Sequence, residues 1–165
     1  MKKYELTEEK KEFLGRTLYR IRALKDFEVS NGTIIHAGDL GGWIEKEDNL
    51  SQEGSAWVSG EAWVSGKARV SGNARVSGNA WVYGNAWVYR MEHIMTFGPA
   101  GSRNGTTTFY RNKNNGISVT CGCFNGSIED FLAQVNETHS DNKHGQVYRA
   151  AAELAKLQID LEGEQ

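Results

Sequence analysis

The sequence predicts a mainly β chain built around a short parallel β-solenoid, and three observations predict it. Glycine falls at every sixth residue from Gly54 to Gly84. Between the glycines, alanine holds one fixed place (Ala56, Ala62, Ala68, Ala74, Ala80, Ala86) and valine another (Val58, Val64, Val70, Val76, Val82, Val88). The chain as a whole carries 19 glycines and one proline, Pro99, a composition suited to short strands and tight turns. A single hexad has no core of its own. It must stack on copies of itself, with the fixed small and β-branched residues pointing inward.

The elements divide as an N-terminal hairpin cap over 1–37, the solenoid over 38–90, and a C-terminal β-β-α-α cap over 91–165. Residues 1–16 are polar and charged, and LTEEKKEFLG gives at most a short helix. Residues 17–35 read as a hairpin: TLYRIRAL is rich enough in branched and aromatic residues for a strand, and Asn31-Gly32 supplies a tight turn before Thr33–Ile35. In GDLGGWIEKEDNLSQEG the glycines break any regular pattern. This stretch is expected to form an irregular first coil, with Leu40, Ile44 and Leu50 inward and an acidic loop at Glu45–Asn49.

In the strict repeat, three hexads per turn place residues eighteen apart on one face, with coils about 4.8 Å apart. Valine and alanine lie two positions apart and share the inner side, so the residue between them faces outward. That series is Trp57, Trp63, Arg69, Arg75, Trp81 and Trp87. The faces then carry Trp57 beside Arg75, Trp63 beside Trp81, and Arg69 beside Trp87. Four solvent-facing indoles would form a larger apolar patch than most monomers tolerate. They predict a homo-oligomer, a trimer or higher, or a platform on which a flat ligand stacks, with the interface favoured.

Beyond Arg90 the pattern changes. Ile94–Phe97 reads as a short strand, GPAGSRNG as a loop, and TTTFYR and ISVTCGCF as two strands joined by NKNNG. Ser127 caps a helix, SIEDFLAQV, with acidic residues in its first turn. A second helix runs from about Val147 to Leu161, with Val147, Ala151, Leu154, Ala155, Gln158 and Leu161 near one face.

The hexads V-S-G-N-A-R and V-Y-G-N-A-W resemble the hexapeptide-repeat family of left-handed β-helices. That resemblance implies a left-handed parallel β-helix and, for many members, CoA-dependent acyl transfer using a histidine at a trimer interface. Here no histidine lies between His36 and His93. Gly41-Gly42-Trp43-Ile44 before the repeat, and GPAGSR, TTTFYR, CGCFNGSIEDF and ETH after it, are similar to small bacterial and bacteriophage proteins with G-N-A-x-V hexads and a phage-type appendage. This second resemblance implies a phage or mobile-element setting and no particular activity.

Net charge is −2 with no basic run, which argues against general nucleic-acid binding. No apolar stretch approaches membrane-spanning length, and MKKYELTEEKKEF lacks the apolar core of a signal peptide. Cys121 and Cys123 are expected as free thiols in a reducing cytoplasm, the host's if the chain is phage-encoded. The loop Gly98–Gly105 is the candidate anion site. Its glycines let backbone N–H groups approach a phosphate, Arg103 adds a bidentate charge, and Tyr110, Arg111 and His139 would have to converge on it. Cys121, Cys123, His139 and His144 invite a thiolate or zinc reading, but small strand residues explain the cysteines more simply. No catalytic residue, metal site or cofactor is assigned. The expectation is a non-enzymatic binding protein holding a nucleotide-like signal or a defence partner, with acyl transfer and a purely structural role as alternatives.

Overall fold

The computed structural model describes residues 1–162, which are mainly β with a C-terminal two-helix segment. The chain divides into two compact units, Met1–Met91 and Glu92–Gln165.

The first unit begins with β1 (Tyr4–Phe13), paired antiparallel with β2 (Arg16–Ala23). The short helix expected there is absent, because the strand pairing satisfies a backbone that its polar side chains could not hold as an isolated helix. β2 also pairs antiparallel with β5 (Leu40–Ile44). The Asn31-Gly32 turn does close a hairpin, but of β3 (Phe27–Glu28) and β4 (Ile34–Ile35). Leu40, expected inward, is exposed, whereas Ile44 and Leu50 are buried. Gly41 and Gly42 lie inside β5, and a Cβ on either would come within 2.7 Å of its neighbours, the Val58 carbonyl and Trp57 among them.

The hexads give two-residue strands: β6 (Trp57–Val58), β7 (Trp63–Val64), β8 (Arg69–Val70), β9 (Arg75–Val76), β10 (Trp81–Val82) and β11 (Trp87–Val88). Parallel pairing puts Trp57 opposite Arg75, Trp63 opposite Trp81 and Arg69 opposite Trp87. Every repeat alanine and valine is buried. The expected hexapeptide-repeat left-handed β-helix is nonetheless corrected. The hexad strands are divided between two separate two-stranded sheets and a mixed five-stranded sheet, β1-β2-β5-β7-β10, that includes the antiparallel hairpin. No repeated left-handed parallel helix runs through them.

Two buried polar side chains satisfy backbone groups in this unit. Asn49 accepts from the Lys46 and Glu45 N–H groups and donates to the carbonyls of Ala68 (2.8 Å) and Gly66 (3.2 Å). Lys3 donates from Nζ to the carbonyls of Ala56 (2.7 Å), Gly54 and Glu53 (both 3.4 Å). Such groups are costly to bury unless paired.

The second unit is a four-stranded antiparallel sheet, β12-β13-β14-β15, packed with two helices. β12 is Ile94–Ala100, β13 Gly105–Arg111, β14 Ile117–Cys121 and β15 Phe124–Ser127. ISVTCGCF is thus two strands rather than one, because Gly122 takes a left-handed φ of 60° and reverses the chain. α1 (Ile128–His139) is capped by Ser127, whose hydroxyl accepts from the Asp130 N–H at 3.0 Å. α2 (Lys143–Gln158) begins before Val147 and is capped by Asn142. Its buried face is Tyr148, Ala151, Ala152 and Ala155, while Leu154 is exposed. These pack with Phe109, Val119, Ile128, Phe131 and Val135.

Candidate functional site

The second unit brings its chemistry together where two turns meet the helices. β12 and β13 are joined through Gly101–Asn104, which carries Arg103, and β14 and β15 through Gly122-Cys123. α1 contributes His139 at its C-terminal end, and α2 contributes Tyr148 from its buried face. A cavity of about 390 Å³ is lined by these turns, with Ser102, Arg103, Cys121, Cys123, His139 and Tyr148 around it. A second cavity, about 160 Å³, is mostly aromatic and aliphatic, with Phe124, Phe131 and Val135 in its wall. Cys121, His139 and Tyr148 line both. The two spaces therefore join as a polar mouth and an apolar slot.

Tyr148 organises the junction. Its ring stands edge-on to Phe131 (centroids 5.7 Å, 89°) and beside His139 (5.7 Å, 33°). Burial, and then the Cys121 thiol to which the hydroxyl is hydrogen-bonded, push the Tyr148 pKa up to about 12. The phenol is therefore a neutral donor at physiological pH. Thr107 Oγ1 also donates to Cys121 Sγ, at 3.3 Å. Gly101 makes room for this hydroxyl: its φ is +76°, and a Cβ there would collide with Tyr148 Oη. Arg103 is the one full cation among the residues lining the two cavities, and no carboxylate lines either.

Of the expected anion-site residues, the fold brings Arg103 and His139 to one cavity. Tyr110 and Arg111 do not join them. Both are buried near the opposite end of β13, and Arg111 donates to Asn115 Oδ1 in the following turn. Cys121 and Cys123 are free thiols, and the described residues contain no cluster of three or more metal-ligating side chains. The sequence reading missed Tyr148, which carried no signal there except an aromatic on an otherwise small helical face.

The series expected to face solvent is placed differently. Trp57 and Trp81 are buried, Trp63, Arg75 and Trp87 are half-buried, and Arg69 is exposed. The N-terminal strands supply the cover. Phe27 and Tyr4 meet Trp57 edge-on, at 5.2 and 6.4 Å. Phe13 stacks on Trp63, and Lys11 Nζ lies 4.3 Å from the Trp43 ring centroid. The apolar patch that called for a second copy or a stacking ligand is largely closed by the chain itself.

No family model matches this chain, and no curated protein matches it. The hexapeptide-repeat and phage-appendage resemblances therefore gain no support, and the mixed sheets stand against the first. Among the described residues, no helix is long and apolar enough to cross a membrane.

Proposed function

We propose that this is a non-enzymatic binding protein whose C-terminal unit holds a small, flat, anionic ligand of nucleotide type. The observation that carries the reading is the joined cavity itself. A mouth with one guanidinium opens into an apolar slot, and the phenol and imidazole stand where the two meet. Pockets with apolar walls and a few convergent polar groups are the usual form of small-ligand sites. Arg103 offers two parallel N–H donors to a phosphate. Among the described residues no hydrogen bond or ion pair engages it, so its charge is available to a ligand. Backbone N–H groups of the glycine-bearing turns add donors near the same space.

The test is a thermal-shift panel of linear and cyclic nucleotides on the unmodified protein and on Arg103→Ala. Stabilisation by at least one nucleotide is expected, and the variant should bind it roughly ten- to a hundredfold more weakly, as for loss of a charged hydrogen bond. A blank panel, or equal stabilisation of both proteins, contradicts the reading.

A further inference from the structure

We infer that the slot seats a single six-membered ring better than a fused bicycle, so that the site selects pyrimidine over purine nucleotides. This rests on the binding reading above and specifies its ligand class. A slot of about 160 Å³ is close to the ~150 Å³ that a benzene-sized guest fills in a protein interior. A purine needs room for a second ring.

The wall formed by Phe131 and Val135 cannot easily give way. Phe131 is buried and stands edge-on to both Phe109 (5.9 Å, 88°) and Tyr148, so it is locked into the core on two sides. Phe124 meets it at 5.6 Å. Val135, one turn along α1, is buried as well. Moving this side of the slot means repacking the sheet against the helices, and closely packed interiors resist such shifts.

The polar groups on the rim have a definite pattern. Gln134 and Thr138 are one helical turn apart on α1, and Gln134 Nε2 donates to Thr138 Oγ1 at 2.9 Å. That bond leaves the Gln134 carbonyl oxygen as an acceptor and the Thr138 hydroxyl proton as a donor. An acceptor beside a donor complements a ring edge with an N–H next to an acceptor, which uracil presents at N3 and O4 and cytosine at N4 and N3. With the ring there, the shared border at Cys121, His139 and Tyr148 leads to the mouth, where Arg103 meets the phosphate.

The experiment is calorimetric titration of the full chain with uridine and adenosine 5′-monophosphates, which carry the same phosphate on different rings. The uridine nucleotide is expected to bind at least about tenfold more tightly. Phe124→Ala should bring the two affinities close together by enlarging the slot. Gln134→Ala, at an exposed position that leaves the core untouched, should weaken the uridine nucleotide severalfold and leave the adenosine nucleotide unchanged. Equal or tighter binding of the adenosine nucleotide by the unmodified protein overturns the ring selection while leaving the anion site standing. Binding of neither nucleotide overturns both.

Discussion

Phe13 lies flat on Trp63, with ring centroids 3.7 Å apart and planes 16° from parallel. Phe13 ends the first strand, and Trp63 sits in a hexad fifty residues later in the chain. Trp81 lies beside both rings, at 5.5 Å from each. The N-terminal hairpin therefore caps an aromatic face that a regular repeat would leave open.

Phe13→Ala should destabilise the first unit by about 1–2 kcal/mol, combining lost area with a lost aromatic contact. All five tryptophans lie in this unit, so their fluorescence reports on it alone. The emission maximum of the folded variant should move to longer wavelength as Trp63 gains water. An unchanged spectrum and denaturation midpoint would show that the stack does no covering.

Lys3 gives a pH dependence with a definite sign. Burial first, and the neighbouring Lys25 charge second, hold its pKa down to about 8, against 10.5 for an ordinary lysine. Between these values the unfolded chain binds one more proton than the folded one. The Lys3 contribution to stability therefore rises with pH across that window. Lys3→Met retains the stem but leaves the Ala56, Gly54 and Glu53 carbonyls without their donor, and should cost about 1–3 kcal/mol. Urea denaturation at pH 7.5 and 9.5 should show the unmodified protein gaining on the variant as pH rises. A constant difference would remove Lys3 as the titrating group.

The glycines of the repeat are not equivalent. Gly72 and Gly78 share a left-handed φ, 61° and 66°. A Cβ on Gly72 would strike the Tyr89 carbonyl oxygen, whereas one on Gly78 would meet nothing within 4 Å. Gly78→Ala should cost about 1–2 kcal/mol for the left-handed conformation alone, and Gly72→Ala distinctly more. Equal melting temperatures for the two variants would contradict this packing.

The inward register of the hexads was legible because alanine and valine two positions apart can share only one side of a strand, and both rows are buried. The same alternation correctly placed Trp57 and Trp81 on the other side but could not show that they were covered. Their cover comes from Phe13, Phe27 and Tyr4, far away in sequence, with Phe13 and Tyr4 set in a segment that reads as polar. Residues 4–13, read as at most a short helix, form β1 by hairpin pairing with the adjacent β2, a pairing that their polar composition does not announce. In the second unit, Ser127 and the Asn115-Gly116 turn announced their elements locally. Arg103 stood out as the charge of its loop. His139 and Tyr148 join it only through the packing of α1 and α2, which no motif encodes.

Ligand binding in the C-terminal cavity is tested most directly by an amide ¹H–¹⁵N titration of the whole chain with uridine 5′-monophosphate. Saturable shifts are expected at Ala100, Ser102, Arg103, Gly105, Gly122, Cys123, Thr138 and His139, which border the two cavities. The hexad amides from Gly54 to Gly84 should stay in place. Shifts confined to the hexads, or no saturable shifts at millimolar nucleotide, would contradict it.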